Sequence, residues 1–152
     1  GAGAGEMRIN ITNVLSRTYG VAALDDGDAL RIFNMLMIND KLPASRTETF
    51  YTASANQNMI SIKIHESRST DGTMEIEGRE PLTEIEMKFR QSVPEGTPVV
   101  MTTALDNSGI LHIIAEEQQN HSKLDTTFQL SNQMSAAELN QAALRMSSAS
   151  IE

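Results

Sequence analysis

Within the octapeptide "MISIKIHE" at residues 59–66, the stretch 60–65 alternates apolar and polar side chains. Ile60, Ile62 and Ile64 fall on one side of an extended chain, and Ser61, Lys63 and His65 on the other. Successive side chains of a strand point to opposite faces, so a period of two reads as a strand with one face in a core and the other in water. The rhythm recurs downstream. "TEIEMKFR" (83–90) sets Ile85, Met87 and Phe89 against Glu84, Glu86, Lys88 and Arg90. "KLDTTFQL" (123–130) sets Leu124, Thr126, Phe128 and Leu130 against Asp125, Thr127 and Gln129. "PVVMTTAL" (98–105) and "ILHIIAEE" (110–117) are more continuously apolar and rich in β-branched residues, which suits interior strands.

Turn chemistry separates these runs. "DDGD" (25–28) parts a first extended run from "ALRIFNMLM", and "STDG" (69–72) and "VPEGTP" (93–98) are further breaks. In "DNSG" (106–109), Asp106 and Asn107 suit the first turn positions and Gly109 the left-handed one. Strands and turns at this spacing predict a mainly β fold, an antiparallel sandwich of about eight strands, and not βαβ units. The ending differs: "SAAELNQAALRM" (135–146) opens with a Ser135/Glu138 capping box and continues at helical spacing. The expected organisation is a leader over 1–9, a sandwich over 10–133 and a short C-terminal helix within 134–152. One strand fits poorly. "TETFYTASANQN" (47–58) places Phe50 and Tyr51 side by side, then small residues. Such a strand is covered on both faces, or faces something other than its own core.

Composition narrows the function. The net charge of −8 argues against nucleic acid, which needs a cationic surface. With no Cys there is no disulfide framework or thiolate metal site. No apolar run reaches the ~18 residues of a membrane span, and "GAGAGEM" lacks the build of a signal peptide. His65, His112 and His121 have no partner at metal-ligand spacing and read as solvent-facing or core-satisfied. Asp25, Asp26 and Asp28 lack the distal Glu of a Ca²⁺ loop and read as a solvated turn. No nucleophile elbow, P-loop or dinucleotide fingerprint is present, so no catalysis is expected of this chain. Binding and structural roles remain.

Three ordered motifs carry a resemblance. "INDKLPASRTETFYTASANQNMISIKI" (38–64), "VPEGTP" and "LDNSGILHIIAEE" (105–117) resemble the substrate-binding domain of the 70-kDa heat-shock chaperones, over about Asn13 to Leu144. The resemblance implies a β-sandwich under a helical lid that binds short, extended, aliphatic-rich segments of unfolded proteins. It implies that Val21, Ala23 and Leu24 line one side of a peptide channel and Phe50, Tyr51 and Ala53 the other. Leu24 and Ala53 would arch over the bound backbone. Ile60 and Ile62 would form the pocket floor with Val99 beside them, and Gln57 and Ser61 would offer polar contacts.

For the parent protein the resemblance further implies an upstream ATPase domain holding ATP and Mg²⁺, a J-domain co-chaperone, a nucleotide exchange factor and a cytoplasmic location. No cofactor is expected in this domain, and no nucleic-acid or membrane partner. Asn13 and Ser16 depart from the family pattern where an Asp and a Pro are usual, and the acidic loop Asp25–Asp28 is longer than usual. Self-association through a tail in a neighbour's channel is a further expectation. The alternative from another class is a structural, self-associating sandwich with a fixed protein partner.

Overall fold

The computed structural model describes residues 5–9 and 11–130. Among these the chain forms nine strands and no helix: β1 (Thr18–Leu24), β2 (Leu30–Leu36), β3 (Ala44–Tyr51), β4 (Gln57–Ser67), β5 (Thr73–Glu75), β6 (Thr83–Val93), β7 (Pro98–Leu105), β8 (Ile110–Glu117) and β9 (Lys123–Gln129). One antiparallel sheet has the order β5-β2-β1-β4-β6, the other β3-β7-β8-β9. This is the expected sandwich with one strand more. The addition is β5, three residues on the free side of β2, too short to show a period. The helix expected over 135–146, with the rest of 134–152, lies outside the described residues.

The alternating faces meet between the sheets. Val21, Ile62, Ile64, Met87 and Phe89 from the first sheet and Val99, Met101, Leu105, Leu111, Ile113 and Ala115 from the second belong to one buried cluster. Full burial of one such aliphatic side chain contributes about 1.5–3 kcal/mol, so the period of two is the main determinant of register. The interior-strand reading holds for β7 and β8, each flanked on both sides, although their outer faces remain partly open.

The turns follow their chemistry. Asp106 Oδ1 accepts from the amides of Ser108 (2.8 Å) and Ile110 (3.0 Å), and Gly109 has φ +80°. The "ND" of 39–40 has a similar logic. Asn39 takes φ +77°, which Asn tolerates better than most residues. Asp40 Oδ2 accepts from Met37 N at 2.9 Å. Main-chain bonds between Leu15 and both Asn39 and Asp40, each 2.8 Å, then tie residues 13–15 to this turn.

Gly20 marks a close approach beside the register shift where β1 pairs with β2. A Cβ there would lie 2.5 Å from Asn34 Oδ1 and 2.9 Å from the Phe33 carbonyl oxygen.

One expectation about β4 is corrected. His65 is neither solvent-facing nor satisfied by a partner: it is 3% exposed, and both ring nitrogens lack a hydrogen-bond partner in the protein. The outer face of β4 is not uniformly open, because the segment after β5 returns alongside it, with Leu82 N donating to the Ile64 carbonyl at 2.6 Å.

Candidate functional site

Two loops stand at one end of the sandwich. The first joins β1 to β2 and is organised by its own Asp25. The Asp25 amide donates to the Ala29 carbonyl (2.8 Å), and Oδ1 accepts from the amides of Gly27 and Ala29, both at 2.9 Å. Asp26 and Asp28 are left exposed. The acidic turn is therefore self-supporting, as its reading as a solvated turn expects.

The second loop follows β3 and is clamped at its root by Thr52, which is 4% exposed. Thr52 Oγ1 donates to the Pro94 carbonyl (2.8 Å) and accepts from Thr97 N (2.9 Å). Its main chain bonds Thr97 O (3.0 Å) and Gly96 N (2.8 Å). Gln57 closes the loop, its Oε1 accepting from the amides of Ala53 (3.0 Å) and Ser54 (3.1 Å).

Between these loops, and running back along the gap between β2 and β3, lies an open cleft of about 1160 Å³. Ten of the eleven residues named from the sequence line it: Val21, Ala23, Leu24, Phe50, Tyr51, Ala53, Gln57, Ile60, Ser61 and Ile62. Their exposure is graded. Val21 and Ile62 are buried at the base, Ala23, Phe50 and Ile60 are half-buried, and Leu24, Tyr51 and Ala53 are exposed at the mouth. The puzzle of adjacent aromatics resolves here. β3 is an edge strand paired only with β7, so Phe50 turns into the cleft while Tyr51 stays 65% exposed.

Val99 is the correction. It is 2% exposed in the core and does not line the cleft. The register sets Val99 directly beside Phe50, and the larger ring forms the wall there. Met101 is the β7 residue that reaches the lining. Gln57 and Ser61 are also more committed than expected. The Gln57 amide is engaged with its own loop and with Met59 O (3.0 Å), and the Ser61 hydroxyl donates to Glu84 at 2.6 Å.

Sequence reasoning passed over Phe33 and Met35, which also line the cleft. A signal existed: folding the chain back at the acidic turn pairs Leu24 with Leu30 and therefore Val21 with Phe33.

The lining carries five carboxylates, Asp25, Asp26, Asp28, Glu48 and Glu95, against one cation, Arg46. Arg46 is held by Glu48, Nε to Oε1 at 3.0 Å. The mouth is thus apolar within and acidic at its rim, suited to an extended apolar chain with cationic neighbours.

The perturbed groups lie elsewhere. Burial pushes the His65 pKa down, aided by the positive charges of Arg79 and Lys63 and opposed by Glu80. Burial, and then the hydrogen bond to Glu66 (2.7 Å), raises that of Tyr19. The Ile110 amide holds the Asp106 carboxyl below its usual range. None of the three lines the cleft, and among the described residues no group of three or more His, Cys, Asp or Glu could hold a metal ion.

The chain matches a protein-family model. The model described as "Hsp70 protein" matches residues 3–151, nearly the whole chain. A chaperone-type function goes with that match. The chain belongs to the Hsp70 family.

Proposed function

We propose that this chain is the peptide-binding module of an Hsp70 chaperone, with residues 10–133 as the binding domain and 134–152 as the start of its lid. The observation that carries the reading is the convergence of ten residues, chosen from sequence alone, on one open cleft. An unfolded segment offers main-chain amides and aliphatic side chains. The loop backbones at Leu24 and Ala53 can hydrogen-bond an extended chain at roughly 0.5–1.5 kcal/mol net per bond. One Leu or Ile buried over Ile60 contributes roughly 1.5–3 kcal/mol. After ordering costs, about −8 kcal/mol, or micromolar affinity, is reached. Main-chain recognition makes the site promiscuous, the apolar base filters for aliphatic segments, and the acidic rim favours Lys or Arg on the flanks by tenths of a kcal/mol per charge.

On this reading the domain itself catalyses nothing. Release is controlled in the full-length cytoplasmic protein by an upstream domain that hydrolyses ATP with Mg²⁺. A J-domain co-chaperone and a nucleotide exchange factor act on that cycle. Fluorescence anisotropy with a Leu-centred, Arg-flanked heptapeptide is the test. Saturable micromolar binding that is displaced by unlabelled peptide is expected. No saturation up to millimolar peptide, together with a fixed dimer in sedimentation that ignores added peptide, would favour a self-associating structural module instead.

A further inference from the structure

Phe33 and Phe50 come from different sheets, and their rings meet edge to face with centroids 6.3 Å apart and planes at 79°. Both are half-buried and both line the cleft. Their places along the strands divide its lining. Towards the loops lie Leu24, Leu30, Tyr51 and Ala53, and away from them lie Met35, Glu48 and Arg46. At the rise of an extended chain, Glu48 and Arg46 are roughly 7 and 13 Å further along β3 than Phe50. The far part therefore holds an ion pair and the near part an aliphatic base, with two rings between them. Edge-to-face packing is a favoured aromatic geometry, and the pair links the two sheets partway along the cleft.

We propose, resting on the peptide-binding reading above, that Phe33 determines which side chain the cleft accepts. The Phe33–Phe50 wall ends the chamber over Ile60, so a client's Leu or Ile fits and its Phe or Trp does not. It also keeps the client's apolar side chain away from the Arg46–Glu48 pair. Phe33 is the specific lever, because Phe50 also packs on the core beside Val99, whereas Phe33 has only the three-residue strand β5 on its outer side.

The experiment compares two heptapeptides that differ only at the centre, Leu or Phe, titrated against wild type, Phe33→Ala and Phe33→Leu. Joining the two chambers should lower the ratio of the dissociation constants, Phe-centred over Leu-centred, by about tenfold or more in Phe33→Ala. That is the scale on which an apolar pocket discriminates by size. Phe33→Leu, which keeps apolar bulk without the ring edge, should move the ratio about threefold in the same direction. It decides the question alone if the alanine variant does not fold. A ratio unchanged within twofold in folded, peptide-binding variants overturns the role of Phe33 and leaves peptide binding standing. Wild type that binds neither peptide overturns the peptide-binding reading, and this inference with it.

Discussion

Replacing Thr52 with Val tests whether the second loop is held as described. The two side chains have nearly the same shape, so the substitution removes one hydroxyl without opening a cavity. That hydroxyl donates to Pro94 O and accepts from Thr97 N. Loss of the bond to Pro94 O costs roughly 0.5–1.5 kcal/mol. Thr97 is 4% exposed, so its N–H is left buried without that acceptor, at about 1–3 kcal/mol. Pro94 O keeps the Thr97 hydroxyl at 2.7 Å, so no second orphan is made. The two together come to roughly 1.5–4.5 kcal/mol. With a urea m-value of about 1–3 kcal/mol per M, the unfolding midpoint should fall by on the order of 1–2 M with the slope unchanged. The same clamp roots the loop that carries Ala53, so a bound peptide should also dissociate faster from the variant by stopped-flow anisotropy. A midpoint shift below about 0.3 M, with unaltered dissociation, would refute the reasoning.

Three further outcomes follow from the structure. His65 has its pKa lowered from 6.5 by burial, so below that pH the unfolded chain binds more protons than the native one. Stability should decline as pH falls through this window. His65→Leu should flatten that decline in urea midpoints at pH 7.5 and 5.5, and raise stability at neutral pH by about 1–3 kcal/mol by removing two unpartnered buried nitrogens. Ile60→Lys, at a half-buried cleft position packed against the core, should cut peptide affinity at least tenfold in the anisotropy assay, with a lowered melting temperature but a folded domain by far-UV circular dichroism. Gly20→Ala should destabilise by about 1–3 kcal/mol in thermal melts, because its Cβ would strike backbone and not only a movable side chain.

Much of this fold was legible because its strands declare themselves by alternation and its turns by chemistry. Ile60, Ile62 and Ile64 point inward as their spacing requires, and Asp106 with Gly109 builds the turn those residues predict. Thr73–Glu75 could not be read, since three residues cannot establish a period and this strand is defined by its pairing with β2. His65 was misread for a related reason. Alternation assigns a face to a side chain but does not reveal that a distant loop will cover that face.

The site was legible as a set of residues and less so in its details. Val99 sits behind Phe50 because of a cross-strand register that only the sheet defines. Gln57 is spent on its own loop, a local use that side-chain type alone does not distinguish from contact with a ligand. The Phe33–Phe50 pair joins two sheets and leaves no mark in either strand's pattern.

Amide chemical-shift mapping is the most direct examination of the cleft. The ¹⁵N-labelled chain would be titrated with the Leu-centred, Arg-flanked heptapeptide. Saturable shifts should concentrate at Ala23, Leu24, Ala53 and Ile60, with the outer positions Thr127 and Ile114 of the other sheet unmoved. No saturable shift, or shifts centred on β8 and β9, would contradict peptide binding between the two loops.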